Sequence, residues 1–396
     1  MGFICLASDM KLHFFFIRLS LKPILLLVAI VLLLQVFSCT KSTTHPGVNN
    51  TGTALLSEAG VAAAAAAGGK ILFAGGYDFN ADTFSRTVDI YDVSSGMWST
   101  TQLSQARGGI AGAGAGNKIL FAGGLVDNVV SKIVDIYDVS STSWTTALLS
   151  EARNFIVAAA AGNKILFAGG LGSAYALSKT VDIYDVVTNT WTTAQLSEER
   201  YLLAAGAAGN KILFAGGTGA NNATKTVDIY DVASNTWTTT QLSEARFSLA
   251  GGGTGDKVLF AGGLANPGIS DVVDIYTVST NTWTTDRLSE PREDIVAASA
   301  GDKIFFGGGN IVSMPPGGNG NLYDSTVYKT IDIYTASSNT WYTDQLSQPK
   351  KNAVAAGSGN KILFAGGATP DSATYAYGIF TQYYSFPKTV DIFTLH

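Results

Sequence analysis

Residues 162–200 read GNKILFAGGLGSAYALSKTVDIYDVVTNTWTTAQLSEER, and near copies of this stretch fill the chain from residue 51 to its end. Each copy contains a Gly-Gly pair. The first glycines of these pairs are Gly75, Gly123, Gly169, Gly216, Gly262, Gly308 and Gly366. Successive pairs are 48, 46, 47, 46, 46 and 58 residues apart. A period near 47 residues with several short strand signals predicts a β-propeller, with one blade per repeat.

Each repeat divides into four strand candidates. The first is rich in Ala and Gly, as in VAAAAAAGG at residues 61–69, and small side chains suit a crowded centre where blades converge. The second, KILFAGG, is an apolar run typical of a strand buried on both faces, and its glycines allow close approach of another backbone. The third, TVDIYDV, alternates, and the fourth begins at a tryptophan. We predict an all-β fold over residues 51–396: a single seven-bladed β-propeller with four-stranded antiparallel blades.

The seventh repeat stops at His396, before the expected tryptophan strand. Residues 54–59, ALLSEA, repeat residues 147–152 letter for letter, and Thr51 falls at the position of the tryptophan. We therefore predict that an N-terminal strand completes the last blade. Such closure removes open sheet edges, which promote aggregation.

The repeat resembles the Kelch repeat. The shared features are a Gly-Gly pair, a downstream tyrosine, and a tryptophan 21–23 residues after the first glycine in the copies without long loops. The resemblance spans nearly the whole chain after the leader and implies a Kelch-type propeller. It leaves function open, because propellers host many activities.

The first 38 residues have a different pattern. Lys11, Arg18 and Lys22 precede an apolar run over residues 24–34, which is typical of an export signal and short for a membrane-spanning helix. The segment ends in VFSC, which resembles the lipobox of bacterial lipoproteins. An ordinary cleaved signal or a membrane anchor is the alternative.

The lipobox resemblance implies three further features. Residues 1–38 would be a lipoprotein signal peptide, Cys39 would carry the lipid, and the polar residues 39–50 would form a flexible tether. Thr40 is not the Asp that retains some lipoproteins at the inner membrane. We therefore expect the protein to be exported and anchored in the outer membrane of a Gram-negative bacterium, touching the membrane only through its lipid.

Composition excludes several classes of function. The net charge is −5 and no basic run suits nucleic acid, so we expect no nucleic-acid partner. The histidines are His13, His45 and His396, and the repeats contain no cysteine, so we predict no metal site, no Ser-His-Asp or Cys-His catalytic site, and no cofactor. The same absence excludes the copper oxidases built on Kelch propellers. We name no catalytic residue and expect a monomer.

One basic residue precedes the innermost strand in six repeats. These residues are Arg107, Arg153, Arg200, Arg246, Arg292 and Lys350. The linker between blades and the loop between the second and third strands emerge on one face, so the cations are predicted to surround the mouth of the central channel. In Kelch adaptors that bind acidic peptides, matching arginines hold carboxylates, which implies anion binding here. Alternatively, each arginine pairs with a nearby glutamate, such as Glu151 or Glu244, and braces the blade junction.

One aspartate recurs in every repeat. Its copies are Asp89, Asp135, Asp182, Asp228, Asp274, Asp332 and Asp391. A residue repeated sevenfold usually serves the scaffold, so we predict a structural hydrogen-bond acceptor.

Two long loops break the repeat. The second glycine of the pair and the repeated Asp are 11–13 residues apart in five repeats, but 23 and 24 apart in the sixth and seventh. These insertions carry the tyrosines Tyr323, Tyr328, Tyr375, Tyr377, Tyr383 and Tyr384, which we predict to contact a ligand on the same face as the cations. Alternatively, their rings pack together as a small satellite core.

The sequence therefore favours non-catalytic binding of a glycan or protein ligand, possibly acidic, through this face. Some exported Kelch propellers interconvert sialic acid anomers, so the resemblance leaves a sugar-active enzyme of that type as the second hypothesis. Glu293 and Asp294 are the most suggestive acids for it. A purely structural envelope protein is the third.

Overall fold

The computed structural model describes residues 47–78, 82–127, 129–220, 222–313, 324–376 and 379–396, and their side chains except those of 313, 324, 325, 372–376 and 379–383. Within these ranges seven four-stranded antiparallel sheets form, together with one 3-10 turn at Ser173–Tyr175. The innermost strands contact one another in sequence order, and the last contacts the first. This ring confirms the predicted all-β, seven-bladed propeller. No helix in the described part of the chain is long and apolar enough to cross a membrane.

From the centre outward, the strands of a blade are named inner, second, third and outer. The inner strands of blades one to seven are Val61–Ala67, Ala111–Ala115, Val157–Ala161, Ala204–Ala208, Ala250–Thr254, Val296–Ala300 and Val354–Ser358. The second strands are Lys70–Asp78, Lys118–Ala122, Lys164–Ala168, Lys211–Ala215, Lys257–Ala261, Lys303–Gly307 and Lys361–Ala365. The third strands are Thr83–Asp92, Ile133–Asp138, Thr180–Asp185, Thr226–Asp231, Val272–Thr277, Thr330–Thr335 and Thr389–Leu395. The outer strands are Trp98–Gln102, Ser143–Leu148, Thr190–Gln195, Thr236–Gln241, Thr282–Arg287, Thr340–Gln345 and, in blade seven, Val48–Leu55.

Shorter strand pairs lie in the loops between second and third strands. They are Leu125–Val126 with Val129–Val130, Asn310–Ser313 with Asp324–Val327, and Thr369–Ala376 with Ile379–Ser385. In blade five, Leu264–Ala265 pairs with Arg246–Phe247, which belongs to the linker before the inner strand.

The centre of the ring is crowded, as the small residues of the inner strands predict. A Cβ added at Gly114 would lie 2.4 Å from the carbonyl oxygen of Ala66 in the neighbouring blade. The second strands are fully buried at their apolar core, for example at Leu166 and Phe167. Adjacent blades then pack face to face, since Phe167 and Tyr184 of blade three share a cluster with Leu120 of blade two. Apolar burial between blades is therefore the main favourable contribution to this fold.

The N-terminal strand closes the ring as predicted. Val48–Leu55 pairs antiparallel with Thr389–Leu395, which is the third strand of blade seven. The strand starts at Val48, three residues before the predicted domain boundary. The pairing register shifts after Asn50. Asn50 pairs with Phe393, and the equivalent pair in another blade is a tryptophan with a tyrosine, such as Trp191 with Tyr184. Asn50, and not Thr51, therefore takes the tryptophan position.

The propeller has two distinct faces. On the upper face, each linker that enters an inner strand pairs with the start of the loop between the second and third strands, as Asn154 does with Leu171. The lower face carries the turns between inner and second strands. The chain enters there, because the carbonyl of Gly47 accepts a hydrogen bond from the amide of His396 at 3.1 Å, and Asn360 of a lower turn contacts Leu395.

Candidate functional site

The six predicted cations are buried in the blade junctions. Arg107, Arg153, Arg200, Arg246, Arg292 and Lys350 are all 0% exposed. Each arginine forms an ion pair with the repeated aspartate of its own blade; the pairs are Arg107–Asp135, Arg153–Asp182, Arg200–Asp228, Arg246–Asp274 and Arg292–Asp332. Lys350 lies 2.9 Å from the carboxylate of Asp391. We refer to these six ion pairs as the brace.

The brace joins two blades at each junction. In blade four, one guanidinium nitrogen of Arg200 donates to the carbonyls of Gly216 and Thr226 at 2.7 and 2.8 Å. The backbone of Arg200 is bound to the preceding blade, because its carbonyl accepts a hydrogen bond from the amide of Gly170 at 2.9 Å. The paired glycines permit this approach, since a Cβ on Gly169 would lie 2.7 Å from that same carbonyl oxygen. The prediction that these glycines allow close backbone contact is confirmed.

These contacts support the bracing alternative for the cations and contradict their predicted position around the open mouth. Burial lowers the pKa of Arg153, and the carboxylates of Asp182 and Glu151 oppose that shift. Glu151 is the weaker partner, with its oxygen 3.5 Å from Nε. Each cation is fully buried and its terminal nitrogens donate to protein oxygens, so no side of it is open to a ligand. We therefore withdraw the anion-binding role.

The repeated aspartate has a second role in the brace. Its other oxygen accepts the backbone amide of the serine in the incoming linker, as Asp228 does from Ser197 at 3.0 Å. The same bond recurs in all seven blades, from Ser57, Ser104, Ser150, Ser197, Ser243, Ser289 and Ser347. The predicted structural role of this aspartate is confirmed.

Blade one has no brace cation. In the sequence, Gly60 follows SEA where the other linkers carry Arg, but Gly60 pairs with Tyr77 as Gly108 pairs with Leu125. Ala59 therefore takes the position of the cation. The buried carboxylate of Asp89 instead accepts the amide and the hydroxyl of Ser57, at 3.1 and 2.9 Å. Burial raises the pKa of Asp89, and the bonds from Ser57 offset part of this shift.

The upper face carries two variable residues immediately after each brace cation. We call these pairs the rim dipeptides: Gly108-Gly109, Asn154-Phe155, Tyr201-Leu202, Phe247-Ser248, Glu293-Asp294 and Lys351-Asn352. The first residue of each pair bridges to the loop after the Gly-Gly pair. The second has a left-handed backbone, with φ between 48° and 61° at Gly109, Phe155, Leu202, Ser248, Asp294 and Asn352. This regular turn directs the second residues toward the channel.

A cavity of about 260 Å³ lies at the channel mouth, and the second rim residues of blades three to seven line it. Blades three and four contribute apolar groups. Phe155 is 47% exposed, and its ring meets that of Tyr201 edge-on at 6.5 Å between centroids. Blades five to seven contribute the polar side chains of Ser248, Asp294 and Asn352. These three blades also contribute apolar groups, such as Leu249, Ile295 and Ala353. The mouth is therefore mainly apolar, with its polar side chains all on the side of blades five to seven, and ligand sites commonly have such a lining.

The rim dipeptide of blade six carries two carboxyl groups with raised pKa values: Asp294 lines the cavity and Glu293 lies beside it. Burial raises the pKa of Asp294, while Lys351 and a 3.4 Å hydrogen bond from Asn352 oppose the shift. Burial and the Asp294 charge raise the pKa of Glu293, and Lys351 again opposes. The Lys351 ammonium lies 4.2 Å from the centroid of the Tyr384 ring, so it is held on the outer side of the rim.

The predicted tyrosines fall into three groups. Tyr323 and Tyr377 lie outside the described residues, and so do the side chains of Tyr375 and Tyr383. Tyr328 is half-buried beside Arg292, and burial raises its pKa. Tyr384 lies beside the rim through Lys351. A ligand-contacting role for the set stays a prediction.

The rim dipeptides are the site that sequence reasoning largely misses. The sequence singles out Glu293 and Asp294, but not Phe155, Leu202 or Ser248. A sequence signal is present, because each pair consists of two variable residues between an Arg or Lys and an apolar residue in similar linkers. In the described part of the chain, His, Cys, Asp and Glu side chains do not gather in threes that could hold a metal ion.

The fold and the rim define a β-propeller of seven repeats with a ligand-sized mouth on its upper face. The sequence matches the KLHDC2/KLHL20/DRC7 Kelch-repeats domain over residues 60–263 and, in an overlapping match, over 109–309. The first match alone covers half of the chain, so the protein belongs to this Kelch-repeat family. Kelch propellers are typically protein-interaction scaffolds. No curated protein matches the chain in sequence.

Proposed function

We propose that this protein is a non-catalytic interaction propeller that binds a protein or glycan ligand at the channel mouth of its upper face. One observation carries the proposal. The six linkers that carry a brace cation share their scaffold residues but differ at the rim dipeptides, and the second residues of five of these pairs line one cavity. Variation at positions that face a cavity fits recognition better than stability.

A peptide-display and glycan-array screen of the purified protein tests this function. Phe155→Ala should weaken binding of any specific ligand about tenfold or more, because it removes the largest apolar group of the mouth. Thr192→Ala, at an exposed position of an outer strand, is the matched control and should bind as the wild type does. Ligands that bind both variants equally would place recognition elsewhere, and a protein without ligands would fit a purely structural role.

A sugar-active enzyme is the second candidate, because two adjacent carboxyl groups at the mouth have raised pKa values. A carboxyl whose pKa approaches neutrality can act as a general acid or base. Equilibration of sialic acid anomers, followed by NMR with and without the protein, tests this activity. Asp294→Asn should abolish any acceleration, and a rate equal to the uncatalysed one excludes this function.

We further propose that the protein is exported and lipid-anchored at Cys39 in the outer membrane. The basic and apolar leader and the VFSC ending support this proposal. Labelling with a palmitate analogue should mark the wild type but not Cys39→Ser, and equal labelling would contradict it.

A further inference from the structure

Asp294 is the one ionisable group that lines the mouth cavity among the described residues. The other lining side chains are apolar or neutral, such as Leu202, Leu249 and Asn352. Among the described residues, the carboxylate of Asp294 accepts one hydrogen bond, a long one from Asn352 at 3.4 Å. A half-buried carboxylate in apolar surroundings gains from a charged donor, since burial weakens its hydration.

The neighbouring charges do not fill this role. Lys351 and Glu293 are both first residues of their rim dipeptides, so both bridge outward, Lys351 to Ala368 and Glu293 to Asn310. The Lys351 charge partly opposes the raised pKa of Asp294, and the Asp294 charge raises that of Glu293, but neither Lys351 nor Glu293 lines the cavity. Lys350 is already paired with Asp391 inside the brace. The net charge presented to the cavity is therefore that of Asp294.

The geometry points to a basic ligand: an exposed protein segment that places a lysine or arginine against Asp294 and an adjacent apolar side chain against Phe155 and Leu202. A cavity of about 260 Å³ accommodates such a pair of side-chain ends, and the apolar and acidic sides of the mouth complement them. An arginine fork pairs with a carboxylate through two parallel hydrogen bonds. This inference rests on the proposed function and reverses the acidic ligand expected from sequence.

The critical variant is Asp294→Asn. Asp294 has φ of 53°, and Asn352 occupies the same rim position of blade seven with φ of 51°, so asparagine is already accommodated in this turn. The matched control is Asp302→Asn in a lower-face turn, where blades two to four carry Asn117, Asn163 and Asn210. Both variants remove one negative charge, so only position distinguishes them.

A random peptide-display library panned on the full-length protein is the probe. We expect enriched peptides with Arg or Lys beside an aliphatic or aromatic residue. Asp294→Asn should lower their affinity about tenfold to a hundredfold, as loss of a charged hydrogen bond does. Asp302→Asn should leave this affinity unchanged. Replacing the peptide's basic residue by Gln should weaken binding to the wild type, but should cause little further loss of affinity in Asp294→Asn, where its partner is already absent.

Two outcomes separate this inference from the proposed function. Acidic or uncharged peptides that lose affinity in Phe155→Ala, yet bind Asp294→Asn within about twofold, would overturn the basic ligand and leave mouth binding intact. No enriched peptide, or peptides indifferent to Phe155→Ala and Asp294→Asn alike, would overturn both.

Discussion

Arg153 and Phe155 are two residues apart in one linker, yet they belong to opposite regions of the molecule. Arg153 is 0% exposed and donates to the carbonyls of Gly169 and Thr180 at 2.8 and 2.7 Å and to Asp182. Phe155 is 47% exposed at the channel mouth. The brace is nearly the same in six of the seven junctions, whereas the rim dipeptides differ in each of these six. The comparison shows that repeated residues hold the ring together, whereas the variable residues at the rim face the cavity.

The largest effect should come from removing the brace. Arg153→Ala leaves Asp182 buried without a cation, which should cost about 3–5 kcal/mol of unfolding free energy. Phe155→Ala should cost less than about 1 kcal/mol, as half-exposed positions usually do. Urea unfolding compares the two. Arg153→Lys should lie between them, because Lys350 keeps two such contacts in blade seven, with the Thr389 carbonyl and the Asp391 carboxylate. Equal losses for both alanine variants would contradict the comparison.

Blade one lacks the brace cation, so it offers a second test of the comparison between brace and rim. Asp182→Asn leaves the Arg153 guanidinium buried and unpaired, whereas Asp89→Asn leaves no buried charge behind. We expect Asp182→Asn to be about 3 kcal/mol more destabilising, measured by urea unfolding at pH 7. Similar losses of unfolding free energy would mean that the aspartate stabilises the fold only through its hydrogen bond with the serine of the linker.

The same pair should differ in pH dependence. The pKa of Asp89 is raised in the folded state, so its contribution to stability is greatest at low pH and is lost as pH rises through that raised pKa. The free energy of unfolding of the wild type should therefore fall relative to that of Asp89→Asn as the pH rises from about 4, the ordinary aspartate value, toward neutrality. Urea midpoints across this range test the sign, and a constant difference would contradict it.

At the rim, pH should act on binding. The Asp294 pKa is raised, so affinity for a basic peptide should fall on acidification at a pH above the usual aspartate range near ~4. We expect a loss of about tenfold once the carboxyl is protonated. Calorimetric titration measures it, and Asp294→Asn should bind with little pH dependence. A loss that persists in this variant would assign the titration to another group.

The smallest effect should come from Tyr384. Its ring lies 4.2 Å from the Lys351 ammonium, a contact worth about 0.5–1 kcal/mol at an exposed site. A double-mutant cycle of Tyr384→Leu with Lys351→Gln measures this coupling by urea unfolding. Tyr384→Phe keeps the ring and should retain most of it. Zero coupling would show that the two side chains act independently.

The sequence predicts the architecture well because the repeat makes each strand visible seven times. The Ala-rich run at residues 62–67 favours helix by propensity, yet its glycine-rich counterparts identify it as a strand, and it is one. ALLSEA at residues 54–59 identifies the closing strand. Local patterns are enough for both, because backbone pairing follows the alternation of side chains along the chain.

The candidate site is harder to predict, because the burial of a side chain is not determined by its neighbours in the sequence. Arg200 follows Glu199 and has the sequence context of a surface residue, but Gly169 and Gly170 let its backbone sink onto the preceding blade. The guanidinium is thereby covered and meets Asp228, which lies 28 residues away. The rim escapes sequence reasoning because a left-handed turn at Phe155 or Leu202 has no sequence signature of its own.

The closing strand also has a mechanical consequence. Val48–Leu55 runs antiparallel to Thr389–Leu395, and its first residue lies at the lower face, beside the last residues of the chain. A force applied at Gly47 along the axis of this strand would load the hydrogen bonds between the two strands together, in shear, and would not open them one by one. The closing strand is therefore arranged to resist a pull along its own axis.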